Sequence, residues 1–472
     1  MRGATYADAR VMDIRHRDLS IKNGEVGTLA ESESLGIGVR VIADGAWGFA
    51  STDRLTREGA QACAAQAVVI ARASALAKRH DVVLAPERAY VDTWQGPCVK
   101  DPFRIPLEQQ LELLLAADAE MRKVSGVTLT EASMQFRHIE QLFASSLGSV
   151  IRQTKTQSGC GIVAMSFAAN EIQKRSYPSS FGGQHMLGGY ELVDSLDLVG
   201  QAPRVAEEAV ALHQAAHCPE GMRTIILDGS QLGLQVHESI GHPIELDRVL
   251  GMEANFAGMS FLTLDKLHTL CYASDIVNVV ADGRLAHGPG LGTFAYDDEG
   301  VPAQRTEIIK DGLFTAYLSN RETAAAIGQA RSNGTMRAES WNRLPIIRMT
   351  NISLSPGTWD LDELIADTDD GIWMEVNRSW SIDDRRYHFQ FSTEIGWEIK
   401  GGKKVRMLKN PSYSGITTEF WNSCDAICAQ KYWTLWGTPN CGKGQPMQTI
   451  GTGHGAAPAR FRNVKVGVAF SK

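Results

Sequence analysis

Between residues 231 and 247 the chain reads QLGLQVHESIGHPIELD, and the string His237-Glu238-x-x-x-His242 within it combines groups with the chemistry of a hydrolytic metal site. Two imidazoles are borderline nitrogen ligands suited to zinc, and a carboxylate beside the first can take a proton from a water that the metal has acidified. The spacing is one residue longer than in H-E-x-x-H. At about 100° per residue, four steps along a helix end about 40° from the starting face, whereas five end about 140° away, so a regular helix would splay the two rings. Gly241 tolerates unusual backbone angles, and Pro243 disfavours the α region at His242. The helix is therefore expected to end or bulge there, with His242 extended and both rings able to reach one ion.

The elements that must position this string are legible around it. A strand-like run, Thr224 to Leu227, turns at Asp228-Gly229 and feeds the helical segment. Downstream, strands alternate with Gly-containing turns. Ile308-Ile309 and Leu313–Tyr317 flank Asp311-Gly312, and Trp397–Lys400 and Lys403–Met407 flank Gly401-Gly402, which implies antiparallel hairpins. Curving or closing these strands would cover their edges, so the second half is expected to be a pseudo-β-barrel. Upstream, the texture is mixed. Strand-like Ile37, Val39 and Val41 precede a helical pattern from about Asp53 to Lys78. Leu107, Leu111, Leu114, Leu115 and Met121 mark a second helix behind Pro106, and an amphipathic stretch covers about Ala206 to Ala216. The expected fold class is α+β: an N-terminal mixed α/β domain over 1–218 and a C-terminal strand-rich domain over 219–472.

Composition narrows the function. The 472 residues carry 47 basic and 54 acidic side chains, a net charge of −7, and 43% of positions are hydrophobic, which is enough to bury the cores of two or three domains. There is no Lys/Arg block to neutralise phosphates, so nucleic acid is not an expected partner. Met1 to Asp18 alternates apolar and charged residues and lacks the apolar centre of a secretory signal, and the Ala-rich run from Ala62 to Ala77 is broken by Gln66 and Arg72. No membrane partner is expected. The eight cysteines show no repeated spacing, consistent with a reducing, cytoplasmic compartment.

Five ordered blocks give the chain a resemblance to the TldD/PmbA family of metalloproteases, also described as modulators of DNA gyrase. They are Gly36–Thr52 (GIGVRVIADGAWGFAST), the HESIGHPIELD string, Tyr296–Gln304 (YDDEGVPAQ), Arg337–Asn351 (RAESWNRLPIIRMTN) and Asn440–Pro446 (NCGKGQP). The intact histidine string resembles the TldD-type rather than the PmbA (TldE) type subunit. The resemblance implies a third ligand, Cys441, some 200 residues downstream of the histidines. With His237, His242 and Cys441 on one Zn2+ (or another first-row ion), the fourth position stays open for water and Glu238 serves as the general base. It also implies a peptide substrate, and a site enclosed by two subunits, either a heterodimer with a PmbA/TldE-type partner or a homodimer. The competing expectation is a non-catalytic, gyrase-modulator-like regulatory subunit with a structural metal.

Other residues are weighed beside these. Cys424 and Cys428 could in principle form half of a structural zinc site, but no second pair lies nearby. Glu245 and Asp247 are candidates to orient a ligand imidazole or are simply solvated. His454, where relatives often show Gln-Pro, reads as a surface-loop histidine that could line a substrate channel, and Lys443 as a solvated charge. The run Asn377–Asp384 stands where the family shows a Gly-rich stretch, and Trp373, Met374 and Trp397 are expected to pack the β core.

Overall fold

The computed structural model describes residues 3–469; residues 1, 2 and 470–472, which open the N-terminal alternation and close the second expected domain, lie outside the described residues. The first layer is a long antiparallel sheet in the order Ala46–Thr52, Glu25–Ala43, Tyr6–Lys22, Leu129–Ser145, Val150–Ala168, with Val91–Gln95 added parallel at one end. Period-2 alternation builds it: Tyr6–Lys22 buries nearly every second side chain. The helix Arg57–Ala75 starts where the Thr56 hydroxyl accepts from the Gly59 amide at 3.0 Å and packs Cys63, Ala67, Val68 and Ala71 against Val39 and Val41. Leu107–Arg122 and Leu198–Ala211 cover the other half, with Pro106 as the capping residue of the former. The latter starts earlier than its apolar pattern suggests, because Asp197 caps Gly200.

The expected barrel is present. Gly221–Leu227, Asp370–Ile382, His388–Lys400, Pro411–Ile416 and Ala459–Val468 close into a five-stranded ring through one parallel and four antiparallel pairings. Both hairpins read from the Gly turns are formed. Ile225, Ile372, Met374, Phe389, Phe391, Tyr413 and Phe461 fill one continuous core, and Trp373 and Trp397 pack a second cluster with Leu364 and Ile399. The sheet also takes in Ala216–His217, Lys403–Lys409 and Cys424–Ile427. No helix among the described residues is long and apolar enough to cross a membrane.

Outside the barrel, the hairpin Thr434–Lys443/Gln448–Ala456 leans on the first sheet. Gln184 holds it there. Its Nε2 donates to the Leu435 carbonyl at 3.0 Å, and its Oε1 accepts from the Gly437 amide at 3.0 Å. Charged pairs complete the contact: Arg40 bridges Asp8 (2.7 Å) and Glu299 (3.2 Å), and Arg10 meets Asp298 at 3.0 Å, all with side chains under a tenth exposed. The YDDEG string is thus tied to the first sheet through Arg10 and Arg40.

The backbone approach at Gly437 is close enough that a Cβ would stand 2.1 Å from the His185 carbonyl oxygen. Gly437→Ala should therefore lift the hairpin off the sheet and destabilise the fold by about 1–3 kcal/mol, seen as a lower urea midpoint; an unchanged midpoint would mean that the hairpin is not clamped there.

Candidate metal centre

The strand Gly221–Leu227 delivers the chain to Asp228, whose carboxylate accepts from the amides of Ser230 (2.9 Å) and Gln231 (3.1 Å) and so starts the helix Gly229–Val236. Every residue of that helix is buried. Its polar members are satisfied internally: Tyr413 accepts from Gln231 at 2.7 Å and donates to Gln235 at 2.9 Å. At His237 the ladder changes. The His242 amide donates to the His237 carbonyl at 3.1 Å, an i→i+5 bond, and His237–Gly241 form a π turn.

The expected bulge is therefore real, but His242 is not extended. It keeps helical angles, φ −68° and ψ −41°, because widening the turn already brings residue 242 back beneath residue 237. Gly241 serves by close approach rather than by unusual angles, since a Cβ there would lie 2.2 Å from Met349 Sδ. Ser239, inside the turn, accepts from Trp421 Nε1 at 2.9 Å, and Tyr272 donates to its carbonyl.

Cys441 arrives from the hairpin. One donor atom each from His237, His242 and Cys441 lie within 4.8 Å of one another, and all three residues are buried. Cys441 Sγ is 3.7 Å from His242 Nε2. Ligands at about 2.0–2.3 Å around a tetrahedral ion stand roughly 3.5 Å apart, so this edge fits zinc with little movement. The two imidazole planes are nearly perpendicular, with centroids 4.8 Å apart.

The far side of each ring is held. His242 Nδ1 donates to Glu245 Oε2 at 3.0 Å, so of the two carboxylates after the second histidine Glu245 is the one that orients it. Asp247 instead takes Lys443 at 2.7 and 2.8 Å. Lys443 is fully buried rather than solvated: it also donates to the Ile347 carbonyl at 2.6 Å, which draws the C-G-K loop inward beneath the histidines.

His454 corrects the surface-loop reading most sharply. It is 1% exposed, and its Nε2 lies 2.7 Å from His237 Nδ1. Its Nδ1 is 3.2 Å from the Ile352 carbonyl, which can only accept, so that nitrogen carries the proton. Nε2 of His454 is then the acceptor, His237 Nδ1 the donor, and His237 Nε2 is left with its lone pair free for an ion. The signal was available in the hairpin register, where Cys441 opposes Ile450 and the period of two carries Thr452 and His454 onto the same face.

Electrostatics agree with a cation site. Burial lowers His237 to about 4 and His242 and His454 well below the usual imidazole value, so all three are neutral near pH 7. Burial alone would raise the Cys441 thiol, but the Arg348 guanidinium and His242 outweigh it and hold it below the ordinary value. Glu238, next to His237, pairs through Oε2 with Arg386 Nη1 at 2.9 Å. Cys424 and Cys428 are free, buried thiols; among the described residues the candidate cluster is His237, His242 and Cys441.

Comparison with known proteins places the chain in a family. Three family models match in order: PmbA/TldA metallopeptidase domain 1 over residues 7–71, the central domain over 100–215 and the C-terminal domain over 204–467. The chain belongs to the PmbA/TldD family. This PmbA/TldD chain is 30% identical to a metalloprotease of Methanothermobacter thermautotrophicus over 98% of its own length and 95% of the relative's. Its fold matches a candidate DNA gyrase modulator of Thermotoga maritima (TM-score 0.77, 17% identity, 98% and 96% coverage) and TldE of Thermococcus kodakarensis (0.73, 15%, 99% and 97%).

The buried imidazoles carry a pH signature in the metal-free protein. His237 has a folded value of about 4 against about 6.5 unfolded. Above pH 6.5 neither form is protonated; as pH falls toward 4 the unfolded chain takes up the proton and the folded chain resists, so stability drops across that window, by on the order of 3 kcal/mol for His237 alone. The melting temperature of metal-free protein should fall between pH 7 and 5, and less steeply in His454→Gln, which removes one buried imidazole yet keeps an acceptor for His237. Equal slopes in the two proteins would show that His454 is not held neutral.

Proposed function

We propose that this chain is a TldD-type, zinc-dependent metallopeptidase in which His237, His242 and Cys441 hold the ion and Glu238 is the general base. The observation that carries the reading is the convergence of two neutral imidazoles and an acidified thiol, from segments some 200 residues apart, beside a carboxylate with one oxygen unused. A bound zinc ion would supply Lewis acidity and an acidified water at the position the three donors leave open. Other first-row ions accept the same donor set.

The chain's own part is orientation and proton handling. His454 and Glu245 fix the ring nitrogens that face the ion, while Lys443 and Arg348, the latter donating to the Cys441 carbonyl at 2.6 Å, fix the loop that carries the thiol. Glu238 Oε1 makes no hydrogen bond among the described residues and is the atom that accepts the water proton and later delivers it to the leaving nitrogen. Main-chain pairing with an exposed strand edge would bind unfolded or short peptides with little regard to side chains. The likeness to TldE supports an assembly with a TldE-type partner, or else with a second copy, that encloses the site. Eight free cysteines suit a reducing, cytoplasmic setting.

The alternative, a regulatory subunit with a structural metal, would call for a closed set of four protein ligands. The described residues offer three.

Glu238→Gln should keep stoichiometric zinc by elemental analysis while peptide cleavage falls by a factor of about 10²–10⁴. Cys441→Ser should lose the ion to a chelator far more readily than the parent protein. Full activity in the Gln variant would end the base assignment, and unaltered metal retention in the Ser variant would end the ligand assignment.

A further inference from the structure

Arg386 sits where an electrophile for the reaction is needed. It lies in the turn between Asp370–Ile382 and His388–Lys400. Its backbone is left-handed, φ +65°, which is costly for a residue with a long side chain. Six hydrogen bonds hold the turn in that shape. Asp383 accepts from the amides of Arg386 (2.9 Å) and Tyr387 (2.7 Å). Thr417 donates to the carbonyls of Arg386 (2.9 Å) and Tyr387 (2.8 Å), and the Met259 and Phe261 amides donate to Asp384 (3.0 Å) and Arg385 (2.9 Å).

The side chain this turn aims inward is under-used. Among the described residues its guanidinium makes one hydrogen bond, from Nη1 to Glu238 Oε2, and its Nε is buried without an acceptor. An unmet buried donor costs about 1–3 kcal/mol. The arginine charge also acts on both His237 and His242, so it borders the donor triangle as well as Glu238. A counter-ion for Glu238 alone would need neither the strained turn nor the spare donors.

We propose that Arg386 is a catalytic residue whose spare N–H groups bind the scissile carbonyl oxygen and stabilise the negative charge it acquires. This rests on the metallopeptidase reading above. As the water oxygen bonds to the carbonyl carbon, the C=O electron pair moves onto the oxygen held by Arg386 and one water proton passes to Glu238 Oε1. The pair then returns, the C–N bond breaks, and Glu238 gives that proton to the leaving nitrogen. The second water proton leaves with the carboxyl product, which ionises. Preorganised donors of this kind act on charge present only in the transition state.

The test compares wild type, Arg386→Lys and Arg386→Ala in metal content, kcat, KM and affinity for a phosphinic pseudopeptide, whose tetrahedral anion resembles the charged intermediate. Arg386→Ala should keep its metal and lose about 10²–10³ in kcat with KM nearly unchanged. Its affinity for the pseudopeptide should fall by a similar factor, while a simple thiol that binds the metal is unaffected. Arg386→Lys should fall between, and added guanidinium ion, far below unfolding concentrations, should partly restore Arg386→Ala but not Glu238→Gln. Wild-type or faster kcat in Arg386→Ala would make Arg386 a counter-ion or a latch and overturn the proposal. If Arg386→Ala is misfolded or metal-free, a fully inactive but folded, metal-loaded Arg386→Lys that binds the pseudopeptide like wild type also overturns it. A wild type that holds metal, alone or with a TldE-type partner, yet cleaves nothing and ignores the pseudopeptide sinks the peptidase reading, and Arg386's role with it.

Discussion

One hydrogen bond, from the amide of His242 to the carbonyl of His237, sets the geometry on which the candidate centre depends. With the ordinary i→i+4 ladder, rings five residues apart would diverge by about 140°. The π turn takes up the extra residue without ending the helix, so both rings leave a continuous, fully buried rod rather than a loose terminus. That rigidity has a packing cause. Gly241 lets Met349 press against the turn, and Trp421 and Tyr272 hold Ser239 inside it, so the wide turn is the form the surrounding core accommodates.

Charge in the shell around the centre is organised by the same logic. Arg248, Arg348, Arg386 and Lys443 stand among Glu238, Glu245, Asp247 and Glu253, paired at 2.9 Å for Arg248–Glu253 and Arg386–Glu238 and at 2.7 Å for Lys443–Asp247. Pairs this deeply buried contribute little net stability, because desolvation offsets the attraction. For two of them the value is positional: Lys443, two residues after Cys441, anchors its loop on the Ile347 carbonyl, and Arg348 holds the Cys441 carbonyl itself. With the carboxylates matched, the charge that Cys441 would gain on giving up its proton to a metal has no further cation to meet it, and a divalent ion is the group that would offset it.

Local pattern accounts for what was legible in the sequence. The hairpins at Asp311-Gly312 and Gly401-Gly402, the two long N-terminal helices and the barrel class all follow from spacing and turn chemistry, which are properties of neighbouring residues. The bulge at Gly241 was legible for the same reason, whereas the helical state of His242 was not, since it depends on the π turn being stabilised by Met349 and Trp421 from elsewhere in the chain. The expectations for His454 and Lys443 fail for one shared physical reason. A Gly-rich stretch reads as a solvated loop, whereas here the glycines serve close packing: a Cβ at Gly453 would meet Asn351 Oδ1 at 2.2 Å, and at Gly455 the Trp433 ring at 1.9 Å. Glycine signals a turn and a tight approach equally well, and a single sequence does not separate them.

The scatter of the five family-like blocks along the chain has a structural reading as well. Gly36 and Gly38 of the first block lie under Trp341 of the fourth, where a Cβ would stand 2.3 Å from the indole and 2.2 Å from its carbonyl oxygen. Arg40 of the first meets Glu299 of the third, Arg348 of the fourth donates to Cys441 of the fifth, and Lys443 of the fifth reaches Glu245 and Asp247 of the second. The blocks form a chain of contacts from the outer sheet to the donor triangle. A thiol brought to two histidines from 200 residues away must be located to within a few tenths of an ångström for a tetrahedral site, and a hairpin attached only at its own ends could not supply that precision. Seating the hairpin on the first sheet through Gly437 and Gln184 makes the N-terminal layer part of the centre, although none of the three donors comes from it.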